Sequence, residues 1–106
     1  MLAAYAQPLR DLVCFHCQQT AEKYLKAMLV ELGLSFPKTH DLDTLLSILS
    51  PHDKTLKPLR RGLDALTSYA VEYRYPTSRT NARQMKSALR ITQQIRAEIR
   101  SRLGLP

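Results

Sequence analysis

The sequence predicts an all-α protein, an antiparallel up-and-down helical bundle of four to five helices forming one domain over residues 1–106. Three observations predict it. Apolar residues recur at three- and four-residue steps in four separate segments. No segment alternates apolar and polar residues as a half-buried strand does, and no Asn-Gly or Asp-Gly pair marks a hairpin. Prolines fall at the edges of the periodic segments, where helices start or stop. The connections between segments are short, which favours antiparallel neighbours.

The first segment runs from about Pro8 to Leu32, with Cys14, Ala21, Leu25, Met28 and Leu32 on one stripe. Pro8 suits a first helical turn and Gly33 a stop. The stretch LSFPK breaks the chain. Thr39 or His40 then caps a short helix whose apolar face is Leu42, Leu45, Leu46 and Leu49, ended by Ser50-Pro51. A loop, PHDKTLK, leads to Pro58 and a third helix with Leu59, Leu63, Leu66, Ala70 and Tyr73 inward. Gly62 is a weak helix former inside it. Pro76 closes that helix, because the residue before a proline disfavours helical dihedrals. The segment YPTSRTN is a turn in which Ser78 or Thr80 caps the last helix. That helix carries Met85, Ala88, Ile91 or Thr92, Ile95, Ile99 and Leu103 inward and stops at Gly104.

Composition removes several classes of function. The apolar runs are only a few residues long, so nothing spans a membrane. The N-terminus MLAAYAQPLRD lacks the basic start and apolar centre of a secretory signal, which makes the cytoplasm the expected location. Cys14 and Cys17 form C-x-x-C, but a zinc site needs four ligands and no second cysteine pair exists. A redox pair of this spacing opens a helix after a strand, whereas this one lies inside a helical pattern, so two buried structural thiols are expected. No His/Asp/Glu cluster has metal-ligand spacing, and there is no phosphate-cradling glycine loop and no nucleophile–base motif. No cofactor is expected.

The net charge of +7 is uneven. Residues 1–78 carry nine Lys/Arg against eight Asp/Glu, whereas residues 79–106 carry seven against one. Such asymmetry suits a polyanionic partner, and equally a solvated basic helix face.

One polar stretch interrupts the first helix. In FHCQQTAEKYLKA, Gln18 falls on the apolar stripe, and a buried amide needs hydrogen-bond partners across the bundle or at an interface. Gln19, Glu22, Lys23 and Lys26 lie to one side. Glu22 and Lys26 have the favourable i, i+4 order, worth about 0.2–0.5 kcal/mol in an isolated helix.

The ordered set FHCQQTAEKYLKAML, Gly33, Pro37, Thr39-His40-Asp41-Leu42, Tyr69-Ala70-Val71-Glu72 and Arg74-Tyr75-Pro76 resembles the HEPN domain family over about residues 12 to 103. The resemblance implies an all-α bundle that commonly dimerises. It also implies a frequent neighbour, a minimal nucleotidyltransferase, and a place in toxin–antitoxin or defence systems, where several relatives are ribonucleases. Relatives usually carry a long helix before the FHxQQ helix; here only MLAAYAQPL precedes it, so the first family helix is read as truncated.

Ribonuclease relatives place an Arg four to six residues before a His near the start of a late helix, the Arg orienting phosphate and the His serving acid–base chemistry. Here no histidine follows His52, so Arg74 and Arg79 have no such partner. Arg10 and His16 match the spacing, yet on one helix they point about 120° apart. They remain only weak catalytic candidates, and the expectation leans against an enzyme. His40 is read as fixing a loop-to-helix junction and His52 as exposed.

The residues expected to bind a nucleotide or RNA are Arg74, Tyr75, Arg79, Arg83 and Lys86, around the start of the last helix, where free amides and the helix dipole favour anions. Tyr75 can stack on a base. Arg74 has a structural alternative, an ion pair with Glu22 or Glu72. Three functions follow: a non-catalytic nucleotide- or RNA-binding module partnering a nucleotidyltransferase, a ribonuclease toxin with a degenerate or intersubunit site, or a dimeric scaffold. A homodimer is expected in each. Leu12, Val13, Phe15, Cys17, Tyr24, Ala27, Leu29 and Val30 lie off the first stripe, and a two-fold contact can cover what one core cannot.

Overall fold

The structure, a computed structural model, describes residues 2–73 and 81–106, with side chains described for 9–69 and 81–106. The elements are α1 (Leu2–Glu31), α2 (Leu42–Leu49), a 3₁₀ helix η1 (Lys54–Leu59), α3 (Arg60–Tyr73) and α4 (Ala82–Arg102), and no strand occurs among the described residues. The protein is all-α, as its periodicity requires.

Helix α1 is the axis of the bundle, packing against α2, α3 and α4 together. That arrangement decides which residues it buries. Cys14, Ala21, Leu25 and Met28 lie in the core, as their spacing predicts. Cys17 and Leu29, read as off the stripe, are buried too, because three helices flank α1 and widen its apolar face. Leu32 is the reverse case: α1 ends at Glu31, and Leu32 sits 41% exposed on the turn that follows. Residues 2–7, read as the remnant of a separate helix, continue α1 without a break.

Leu42, Leu45, Leu46 and Leu49 of α2 are all fully buried, as expected. The cap, however, is Asp41 rather than Thr39 or His40. Its carboxylate accepts from the Asp43 amide at 3.2 Å and from the Thr44 hydroxyl at 2.8 Å. Thr39 acts one step earlier, its hydroxyl accepting from the Asp41 amide at 3.0 Å. The expected loop PHDKTLK is largely the 3₁₀ helix, capped by Asp53, whose side chain accepts from the Thr55 amide. Folding the chain this way buries Leu56 and Leu59, and leaves Pro58 inside η1 instead of opening α3.

Helices α3 and α4 run antiparallel, since Gly62 meets Ile91 at one end and the Tyr69 hydroxyl donates to Ser87 Oγ at 3.4 Å towards the other. Gly62 lies close under Ile91: a Cβ there would be 2.9 Å from Ile91 Cγ2. The glycine thus gives up helix propensity of about 1 kcal/mol to make room for the Ile91 side chain. Leu63 and Leu66 face the core from α3, and Ala88, Ile91, Ile95 and Ile99 face it from α4, with Met85 and Leu103 packed at its edge. The side chains of Ala70 and Tyr73 lie outside the described residues.

Asn81 caps α4, in place of the expected Ser78 or Thr80, through a reciprocal capping box. Asn81 Oδ1 accepts from the Gln84 amide at 2.8 Å, and Gln84 Oε1 accepts from the Asn81 amide at 2.9 Å. Gly33 and Gly104 do end their helices, at φ 69° and 72°, in the left-handed region that costs other residues free energy. At each, a six-residue bond closes the last turn: Leu34 N–H to Leu29 O at 2.9 Å, and Leu105 N–H to Arg100 O at 2.8 Å.

Candidate anion-binding cleft on the last two helices

Arg83, Lys86, Ser87 and Arg90 are spaced i, i+3, i+4 and i+7 along α4, so they share one face. Tyr69 of α3 packs against the core and reaches that face with its hydroxyl on Ser87. Together with Gln84 they line a cleft of about 640 Å³. Of the six described side chains that line it, three are cationic and none is acidic. All three cations are exposed. Each is worth little alone in water, but a concave site lined by one sign of charge concentrates anions.

Of the residues expected to bind here, Arg83 and Lys86 line the cleft. Arg74, Tyr75 and Arg79 lie outside the described residues. The sequence alone does not mark Tyr69 and Arg90 as site residues. A signal for Arg90 existed, because two helical turns from Arg83 return to the same face. The expected free amides at the start of α4 are fewer than supposed, since the capping box already occupies those of Asn81 and Gln84.

Arg10 and His16 both lie on the continuous α1, about 9 Å apart along the axis and about 120° around it. Arg10 is half-buried, whereas His16 is exposed with its ring edge-on to Phe15 at 5.9 Å. Within one protomer they do not converge. Cys14 and Cys17 are buried against the bundle. Burial pushes the Cys17 thiol up from its ordinary value, with a hydrogen bond involving Thr92 opposing, so it stays a protonated packing residue.

The polar stretch on α1 is accounted for within the chain. Gln18 Nε2 donates to the His40 carbonyl at 3.1 Å, which satisfies the buried amide and ties the α1–α2 connection to α1. His40 Nδ1 lies 2.9 Å from Glu22 Oε1, and Lys26 donates to Glu22 Oε2 at 3.0 Å. Glu22 thus holds its Lys26 pair and the loop at once, and residue 40 ties the junction through its carbonyl, with the His40 ring adding the link to Glu22. Among the described residues no three His, Cys, Asp or Glu side chains are grouped to hold a metal. No helix of the described residues is long and apolar enough to cross a membrane.

The sequence profile of the HEPN domain family matches residues 4–102. The chain belongs to the HEPN family. The match takes in both the polar stretch of α1 and the whole of the α3–α4 cleft, so both features belong to the HEPN domain itself. No curated protein and no solved structure gives a significant match.

Proposed function

We propose that this HEPN domain is a non-catalytic module that binds a nucleotide or RNA phosphate through the α3–α4 cleft, and that it partners a nucleotidyltransferase in a toxin–antitoxin-like pair. The observation that carries the first part is the cleft that gathers Arg83, Lys86 and Arg90 beside Tyr69, with no acid among its described lining residues. The lack of catalysis rests on the sequence: no histidine follows His52, so neither α3 nor α4 brings an imidazole to that phosphate site. The pairing with a nucleotidyltransferase rests on family membership. Arg74, Tyr75 and Arg79 belong to the proposal through their place in the connection between α3 and α4.

Fluorescence anisotropy with a labelled short RNA tests this reading. Arg83→Ala/Arg90→Ala is expected to weaken binding at least about tenfold, the loss of two charge-assisted contacts. Unchanged binding removes the cleft. RNA cleavage that vanishes in His16→Ala would replace the reading with a ribonuclease whose Arg10–His16 pair acts across subunits. Co-purification from the native cell tests for the nucleotidyltransferase.

The homodimer also stands as a proposal. On the outward side of α1, Leu9, Leu12 and Val30 are exposed, Val30 by 68%, and a shallow groove of about 240 Å³ runs over Thr20, Lys23, Tyr24 and Ala27. Two copies laid along this face would cover it. Tyr24 also packs against the chain's own core, and Phe15 is half-buried, so Val30 is the cleaner probe. Light scattering at micromolar concentration is expected to show a dimer that Val30→Glu dissociates without loss of helical circular dichroism. A monomeric parent protein would refute it.

A further inference from the structure

We infer that the exposed face of α4 is a track for a polynucleotide strand several phosphates long, so that the ligand of the cleft is a stretch of single-stranded nucleic acid rather than a free nucleotide. The inference rests on the proposed anion-binding role of that cleft and extends it along the helix.

The cations of α4 do not stop at the cleft. Beyond Arg83, Lys86 and Arg90, Arg96 is exposed, and it lines a second cleft of about 360 Å³ with Ala97, Arg100 and Ser101. At 100° per residue the five cations fall within about 140° of one face, opposite Ala88, Ile91, Ile95 and Ile99. They descend that face as a diagonal band. Between the two clefts the outward positions are Gln93 and Gln94, exposed amides that can hydrogen-bond a sugar or phosphate without repelling it. The one acid of α4, Glu98, is turned to the flank and accepts from Arg102 Nη1 at 2.7 Å. Half-buried Arg100 is held along the band, donating to the Pro106 main-chain oxygen from Nε at 3.1 Å and Nη2 at 2.9 Å.

Arg83 and Arg100 are about 26 Å apart along the helix axis. A single nucleotide cannot span that distance. A strand stacked as in a duplex, with one phosphate per about 3.4 Å of axis, presents about eight over it, and an extended strand presents fewer. A row of cations of one sign, spaced by Leu89, Gln93 and Gln94, matches a ligand whose own charge repeats along its length, and the Tyr69 hydroxyl marks one end of it.

The test is anisotropy titration of the intact protein with oligouridylates of increasing length. Affinity is expected to climb up to about eight nucleotides and then level off. With five contacts the slope of log K against log salt is about −3.5, a loss of about 100-fold between 50 and 200 mM salt. Arg96→Gln/Arg100→Gln, folded by circular dichroism, should reduce the slope to about −2 for the long strand while leaving the dinucleotide unaffected. A dinucleotide that binds as tightly as the long strand overturns the track and leaves the cleft standing. Binding of no oligonucleotide of any length overturns both. Displacement of the RNA by polyglutamate at equal charge, with the same variants affected, overturns the nucleic-acid assignment in favour of an acidic protein partner.

Discussion

Replacing Leu25 with alanine is expected to lower the unfolding free energy by about 2–5 kcal/mol, the largest loss from any single truncation on α1. Leu25 is fully buried in the last quarter of the helix that α2, α3 and α4 all contact. The transfer of its lost methyl groups is one part of that cost. The cavity left behind is the other, and here it is hard to fill, because no one neighbour can move in without leaving the other two. Urea unfolding at fixed protein concentration measures it, since any dimer would link stability to concentration. Leu32→Ala serves as the control, with a cost near zero on an exposed turn. A Leu25→Ala loss below about 1 kcal/mol would mean that the core lies elsewhere.

The second large effect is expected at the far end of α4. Arg102 Nε donates to Asp53 Oδ2 at 2.8 Å, its Nη2 donates to Thr55 Oγ1 at 2.6 Å, and its Nη1 donates to Glu98. One guanidinium thereby ties α4 to the cap of η1. Asp53→Ala removes that cap and one side of the ion pair, for about 1–3 kcal/mol once solvent screening of a partly exposed pair is allowed for. Hydrogen bonds from Thr55, and then the Arg102 guanidinium, hold the Asp53 carboxyl below the usual carboxylate range against its partial burial. Its folded value is therefore lower than its unfolded value of about 3.9. The charge contribution is complete above about pH 4 and disappears as the pH falls through the lowered folded value. Asp53→Asn, which keeps a capping side chain, isolates it: the stability gap to the parent should be present at pH 7 and close in acid. A gap that widens below pH 4 would contradict the assignment.

The stripes of α2 and α4 were legible because each of these helices turns a single face to the core, so a period of 3.6 residues shows it directly. On α1 the same reading found Leu25 but missed Leu29, since a helix enclosed by three others has no single stripe. The caps lie one to three positions beyond the expected ones for a different reason. Thr39, Asp41, Ser78, Thr80 and Asn81 all carry a side chain that can cap, and only the register of the first buried residue, such as Leu42 after Asp41, chooses among them. Leu56 reads as a loop residue because a 3₁₀ turn leaves no periodic trace in so short a segment. At the cleft, Arg83 and Lys86 could be found from charge near a helix start. Tyr69 could not, because its place there depends on how α3 lies against α4, a relation fixed in part by Gly62 and Ile91.

The contact between Gln18 and the chain before α2 has a bearing on mutational tolerance. The amide grips the carbonyl of residue 40 and not its side chain. Any amino acid at that position still supplies the acceptor, so substitution of His40 should leave the connection seated and remove only the link to Glu22, on a side chain 82% exposed. Position 18 has no such freedom. Without its amide the carbonyl loses its partner, and the buried site has room for few other donors of that reach. Drift is thus permitted on the side of the contact that the solvent sees and penalised on the side it does not.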